Sequence, residues 1–106
     1  MKIPFNVNLT GKTAIVTGGS GTLCSAMAYG LAVSGAKTAI IGRNKANMEK
    51  VVNELTSNAL KEHNAAVTIK GYCSDVTDKE ELTKTYEAIK AELGSCDILI
   101  NGAGGN

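Results

Sequence analysis

The sequence lacks an excess of either sign of charge: 11 Lys and Arg against 10 Asp and Glu leave +1 over 106 residues. Such a balance argues against a nucleic-acid arm or a membrane-surface patch. It lacks any apolar run long enough to cross a bilayer, and Met1 to Leu9 has neither an apolar core segment nor a small-residue cleavage site. A cytoplasmic protein is therefore expected. It also lacks a CxxC pair: Cys24, Cys73 and Cys96 are an odd, scattered set that suggests neither a disulfide framework nor a metal site, and they read as small apolar fillers. Asn8-Leu9-Thr10 matches a glycosylation sequon, a chance match where no secretory signal precedes it. No low-complexity tract, internal repeat or interdomain linker occurs, and 106 residues suffice for one core.

What is present is alternation. Four short apolar or β-branched runs, Thr13 to Thr17, Thr38 to Ile41, Ala66 to Tyr72 and Asp97 to Asn101, read as strands. Between them Leu23, Met27 and Leu31, then Met48, Val51, Val52, Leu55 and Ala59, then Leu82, Tyr86, Ile89 and Leu93 recur at helical spacing. Ala14-Ile15-Val16 and Ile98-Leu99-Ile100 are continuous apolar runs, as strands buried on both faces of a parallel sheet require, so helices should cover both sides. Gly35 is placed to close the first helix, Asn44 to cap the second, and Thr77-Asp78-Lys79-Glu80 has the form of a capping box for the third. The predicted fold is a Rossmann-type doubly wound α/β parallel sheet in its N-terminal half, β-α-β-α-β-α-β with strand order 3-2-1-4.

The informative stretch runs from Thr17 through Gly18, Gly19, Ser20, Gly21, Thr22 and Leu23 to Ala26, where the first strand gives way to the first helix. Glycines there allow positive φ and close approach of a phosphate, while the helix N-terminus offers free N–H groups and the positive end of its dipole. Gly19-x-Gly21-x-x-Cys24 matches the dinucleotide fingerprint at two glycines, with a small Cys in the third place. The plain alternative is that a glycine-rich strand-to-helix turn is only a turn, and the four-strand context argues against it. A nucleoside-triphosphate loop at Gly11-Lys12-Thr13 fails, because Asn6 stands where its leading glycine belongs and the lysine precedes a strand. About twenty residues on, where an acidic residue would hold a free ribose hydroxyl, the chain has Gly42-Arg43-Asn44. Gly42 leaves room and Arg43 offers a charged planar fork for a 2′-phosphate, so NADP(H) is favoured, with NAD(H) possible. The alternative for Arg43 is a solvated loop arginine.

With these residues in view the chain resembles the N-terminal part of the short-chain dehydrogenase/reductase family. That family's Thr-Gly-x-x-x-Gly-x-Gly motif falls on Thr17, Gly18, Thr22 and Cys24, with two glycines replaced. Asp75-Val76 resembles the pair that contacts the adenine ring, and Asn101-Gly102-Ala103-Gly104 resembles the Asn-Asn-Ala-Gly motif with a glycine in second place. Gly21 to Ala28 and the ending Asn101 to Asn106 are similar to the D-mannonate oxidoreductase, or fructuronate reductase, branch. The resemblance implies a cofactor site at Gly18, Gly19, Ser20, Gly21, Thr22, Leu23, Arg43, Asn44, Asp75, Val76, Asn101, Gly102, Ala103 and Gly104. Read on their own, Asp75 is a turn residue, Asn101 ties strand ends together, Cys24 is packed and His63 is solvated.

The resemblance also implies that hydride transfer needs a Ser, a Tyr-x-x-x-Lys pair and a helix Asn further along, so residues 1–106 are expected to be a single half-domain truncated before the catalytic part. No catalytic residue is assigned within it. Tyr86-x-x-x-Lys90 matches on paper, but Tyr86 lies on the apolar stripe of the third helix and reads as packing. The expected function is the cofactor-binding part of an oxidoreductase acting on a sugar acid or other carbonyl compound; the alternative is a non-catalytic nucleotide-binding or regulatory module on the same half-fold. The expected partners are the dinucleotide and a small-molecule substrate. A fourth strand left as an apolar edge would favour homo-oligomers.

Overall fold

A computed structural model, described for residues 8–18 and 22–102, has the alternation that the periodicity predicts. The elements are β1 (Thr13–Thr17), α1 (Thr22–Val33), β2 (Lys37–Gly42), α2 (Lys45–His63), β3 (Ile69–Cys73), α3 (Lys79–Glu92) and β4 (Ile98–Asn101). The strands form one parallel sheet in the order β3-β2-β1-β4. Side chains alternate along each strand and feed two cores. Val16, Ile40 and Ile69 pack with Ala28, Ala32 and Met48 on the face covered by α1 and α2. Ile15, Ala39 and Ile41 pack with Ile89 and Leu93 on the face covered by α3. Every residue of β1 is buried, which explains its unbroken apolar run.

Three expectations shift. The third strand starts at Ile69 instead of Ala66, because the ladder with β2 begins at Thr38 opposite Ile69 and leaves Ala66 exposed. The inward face of α1 is centred on Ala28, Tyr29 and Ala32; of the expected stripe Leu31 packs half-buried against the same core, while Met27 is 37% exposed. Alanines let the helix lie close on the sheet, and Tyr29 reaches across to donate its hydroxyl proton to Glu62. Third, His63 is half-buried with its ring 5.9 Å from that of Tyr29, not simply solvated.

The helix ends follow local chemistry. Gly35 takes φ 109 as the Ala36 N–H turns back to Leu31 O at 3.1 Å, closing α1 as expected. Asn44 caps α2, its Oδ1 accepting from the Asn47 N–H at 3.0 Å. The cap of α3 is Asp78, one residue later than the box read from Thr77: its Oδ1 accepts from the Glu80 and Glu81 N–H groups, and Thr77 turns to Asp75 instead. Tyr86 packs against the Ile15, Ile41 and Ile89 cluster, in keeping with a structural role. β4 lies at the sheet margin with Leu99 56% exposed, over a groove lined by Ile15, Tyr86 and Ile89.

Candidate dinucleotide site

Because the strands are parallel and in register, with Thr17 opposite both Ile41 and Asn101 and Gly42 opposite Cys73, their carboxyl ends form one rim. At its centre Gly18 takes φ 75 and donates its N–H to Ile41 O at 2.8 Å, bending the chain as β1 ends. Thr22 and Leu23 open α1, whose first turn carries no acidic side chain, so the positive end of its dipole lies at the rim without an acidic counter-charge in that turn. Gly19, Ser20 and Gly21 lie outside the described residues, as do Ala103 and Gly104.

At the β2 end the expected pair divides. Asn44 spends its side chain on the α2 cap, whereas Arg43 is open, its guanidinium 3.7 Å from Asp75 Oδ1 with the two side chains 72% and 44% exposed. The room spared at Gly42 is taken from inside: a Cβ there would come 2.5 Å from Met48 Sδ, so this glycine serves the packing of α2. Asp75 is held in place by Thr77, whose N–H and hydroxyl donate to Asp75 Oδ1 at 2.9 and 2.6 Å. Those bonds from Thr77, with a smaller contribution from Arg43, hold the Asp75 carboxyl below the usual carboxylate range. Asp75 is thus a turn residue and at the same time the counter-ion of Arg43. Val76 packs half-buried on the α3 side. The neighbouring Ser74 is buried with its Oγ lacking a hydrogen-bond partner, an orphan at the same rim.

At the β4 end Asn101 Oδ1 accepts the Thr17 hydroxyl proton at 2.8 Å, and the Gly102 N–H donates to Thr17 O at 3.1 Å. Asn101 therefore ties the ends of β1 and β4 together, the architectural reading. A Cβ at Gly102 would fall on Cys24 Sγ and lie 3.1 Å from Thr17 O, so only backbone fits there. Cys24 is half-buried against the α1–α2 core, a packed residue as expected, whereas Cys73 and Cys96 are exposed and are not the apolar fillers the sequence suggests.

These features fit a pyridine dinucleotide: backbone donors at a helix start for the pyrophosphate and a guanidinium at the end of β2. Three residues with a part in the rim escaped the sequence reading as individuals. Thr17 was visible only as the first motif residue and Thr77 only as a cap, and nothing in the sequence marks Ser74 as an orphan. Among the described residues no group of three or more His, Cys, Asp or Glu could hold a metal ion, and no helix is long and apolar enough to cross a membrane.

The order β3-β2-β1-β4, with helices on both faces and Gly18 bending the chain as β1 ends, defines a Rossmann-type α/β half-sheet. More narrowly, the chain belongs to the short-chain dehydrogenase family, whose model matches residues 12–106. It is 46% identical over 104 residues to the uncharacterized oxidoreductase UxuB of Bacillus subtilis, covering 98% of this chain and 35% of that protein. Among solved structures, a candidate D-mannonate oxidoreductase from Haemophilus influenzae with bound NAD superposes with a TM-score of 0.77 at 35% identity, covering 95% of this chain and 34% of that one. A short-chain type dehydrogenase/reductase from Mycobacterium ulcerans gives 0.82 at 27% identity, covering 94% and 35%. The chain thus spans about a third of the length of the relatives it matches.

Proposed function

We propose that residues 1–106 form one dinucleotide-binding half-domain, the N-terminal cofactor-binding part of an oxidoreductase that interconverts an alcohol and a carbonyl. Its substrate is a sugar acid such as D-mannonate or fructuronate, and the catalytic groups lie outside this chain. The observation that carries the reading is the convergence, at one rim of the sheet, of the Gly18 bend, the uncountered N-terminus of α1, the exposed Arg43 and the Gly102 backbone. Membership of the short-chain dehydrogenase family supports the oxidoreductase class, and the likeness to the Haemophilus protein supports the substrate. Bound nicotinamide would supply the hydride chemistry, while this chain grips and orients the cofactor. The site comprises Gly18, Gly19, Ser20, Gly21, Thr22, Leu23, Arg43, Asn44, Asp75, Val76, Asn101, Gly102, Ala103 and Gly104.

NADP(H) is the favoured cofactor, because Arg43 is an exposed cation, only loosely paired with Asp75, where the second strand ends. NAD(H) is the second reading: the Haemophilus relative carries NAD, and Asp75 offsets part of the Arg43 charge. A cytoplasmic location and a homo-oligomer, with the exposed Leu99 of β4 under cover, complete the proposal. The test is a fluorescence titration of the full-length protein with NADPH and NADH, followed by assay with D-mannonate and fructuronate. Tighter binding of NADPH and turnover of one sugar acid are expected; failure to bind either nucleotide overturns the reading.

A further inference from the structure

Beside Thr22 for a glycine, the chain departs from its family's motifs at two places far apart in sequence, Cys24 for a glycine and Gly102 for an asparagine. In space these two positions touch. Cys24 sits in the first turns of α1, and Gly102 follows β4 directly. A Cβ built on Gly102 would overlap Cys24 Sγ, while the Cys24 Cβ would remain 3.9 Å away, an ordinary contact. On the Cys24 side the obstruction is therefore the sulfur alone, and the other tight approach is the Thr17 O at 3.1 Å. The escape of the sulfur is narrow, because Cys24 is packed against the core formed by Val16, Ala28 and Ala32.

We propose that Cys24 and Gly102 are one interlocked positioning pair, in which the thiol fills the room that a side chain at 102 would need and so sets the gap between the α1 N-terminus and the loop after β4. The proposal rests on the dinucleotide reading, since those two segments are the ones assigned to the cofactor. The remaining ties across the gap are short. Thr17 links to Asn101 through its hydroxyl at 2.8 Å, and the Gly102 N–H reaches Thr17 O at 3.1 Å, so β4 cannot retreat from an added methyl group without breaking them. α1 must give way instead, carrying with it the N–H groups that meet the pyrophosphate. Read this way, the two departures compensate: volume absent at 102 is present at 24.

The test is a double-mutant cycle in the full-length protein, reading dinucleotide Kd and thermal midpoint together. Gly102→Ala should weaken binding on the order of tenfold by overpacking. Cys24→Ala should weaken it roughly threefold by loosening the helix against the loop. The double variant should bind no worse than Cys24→Ala by more than a factor of about two, the residue being the contact with Thr17 O. Additive losses, roughly thirtyfold in the double variant, overturn the pair. So does a cycle in which the midpoints move and Kd does not, since that describes packing without positioning. Failure of the unsubstituted protein to bind either nucleotide is a different result, which removes the functional reading before the cycle begins.

Discussion

Arg43 is the side chain proposed to meet a 2′-phosphate, and replacing it tests that term. The guanidinium is 72% exposed and rests 3.7 Å from Asp75, a loose pair that solvent and salt screen heavily. A charge-assisted hydrogen bond to a phosphate contributes about 1.5–3 kcal/mol, and exposure together with the need to leave Asp75 brings it toward the lower end. Arg43→Ala should therefore weaken NADPH roughly tenfold and leave NADH within about twofold, since each 1.4 kcal/mol is a factor of ten. Asp75→Asn, which removes the competitor and keeps an acceptor for Thr77, should move the NADPH to NADH affinity ratio the opposite way by about threefold. Both are read by fluorescence titration at one fixed ionic strength, and the NADPH advantage should shrink as salt rises. Equal losses for the two nucleotides in Arg43→Ala would refute the phosphate argument, and a preference of the unsubstituted protein for NADH would refute it outright.

The hydrogen bonds from Thr77 are the main reason the Asp75 carboxyl titrates low, so Thr77→Val should raise that pKa toward the ordinary value in an NMR titration. With the folded value depressed, the group stabilises the fold above its unfolded pKa and loses that contribution as pH falls through the folded value, so the variant should be less acid-sensitive. Burial, then the bond to Glu62, pushes Tyr29 up to about 12, so its phenolate should appear in the ultraviolet only near that pH. The stabilisation is present below about 10 and lost as pH rises from there toward 12; ionisation near 10 in the folded protein would contradict the part-buried Tyr29–Glu62 contact. Gly35→Ala places a methyl 2.8 Å from Thr10 Oγ1 at φ 109, and thermal melting should register a loss of about 1–3 kcal/mol. An unchanged midpoint would mean that the loop before β1 is not anchored there.

The fold was legible because strand runs and helix spacing repeat at the right intervals, and the misreadings have local causes. The α1 sequence, Thr22 to Val33, is apolar nearly all round, so spacing alone could not select its inward face; residue size did, and the alanines won. The run Ala66 to Tyr72 suits a strand throughout, but pairing is limited by its partner β2, whose ladder reaches back only to Ile69. Thr77 and Asp78 can each cap a helix; Asp78 does so because Thr77 is committed to Asp75. At the rim, single positions such as Gly18 and Asn101 could be read from motifs. The pairings Arg43 with Asp75 and Cys24 with Gly102 could not, since no pattern in the chain links residues more than thirty or seventy positions apart.

Those two pairings divide the rim by physics. Strand order 3-2-1-4 reverses direction between β1 and β4, with α1 on one face and α3 on the other, and the crevice of such a sheet opens at that switch. Thr17, Asn101, Gly102 and Cys24 all sit at this boundary and carry no charge, so what they control is distance. Arg43 and Asp75 follow β2 and β3 and are charged, so on the proposed reading they would select which adenosine is admitted. A pyrophosphate held mainly by amide groups should lose little affinity in salt, because oriented dipoles at close range are screened less than an exposed guanidinium. The salt dependence of NADPH minus that of NADH then reports Arg43 alone, and a steep dependence for NADH would mean that side-chain cations, not the helix start, grip the bridge.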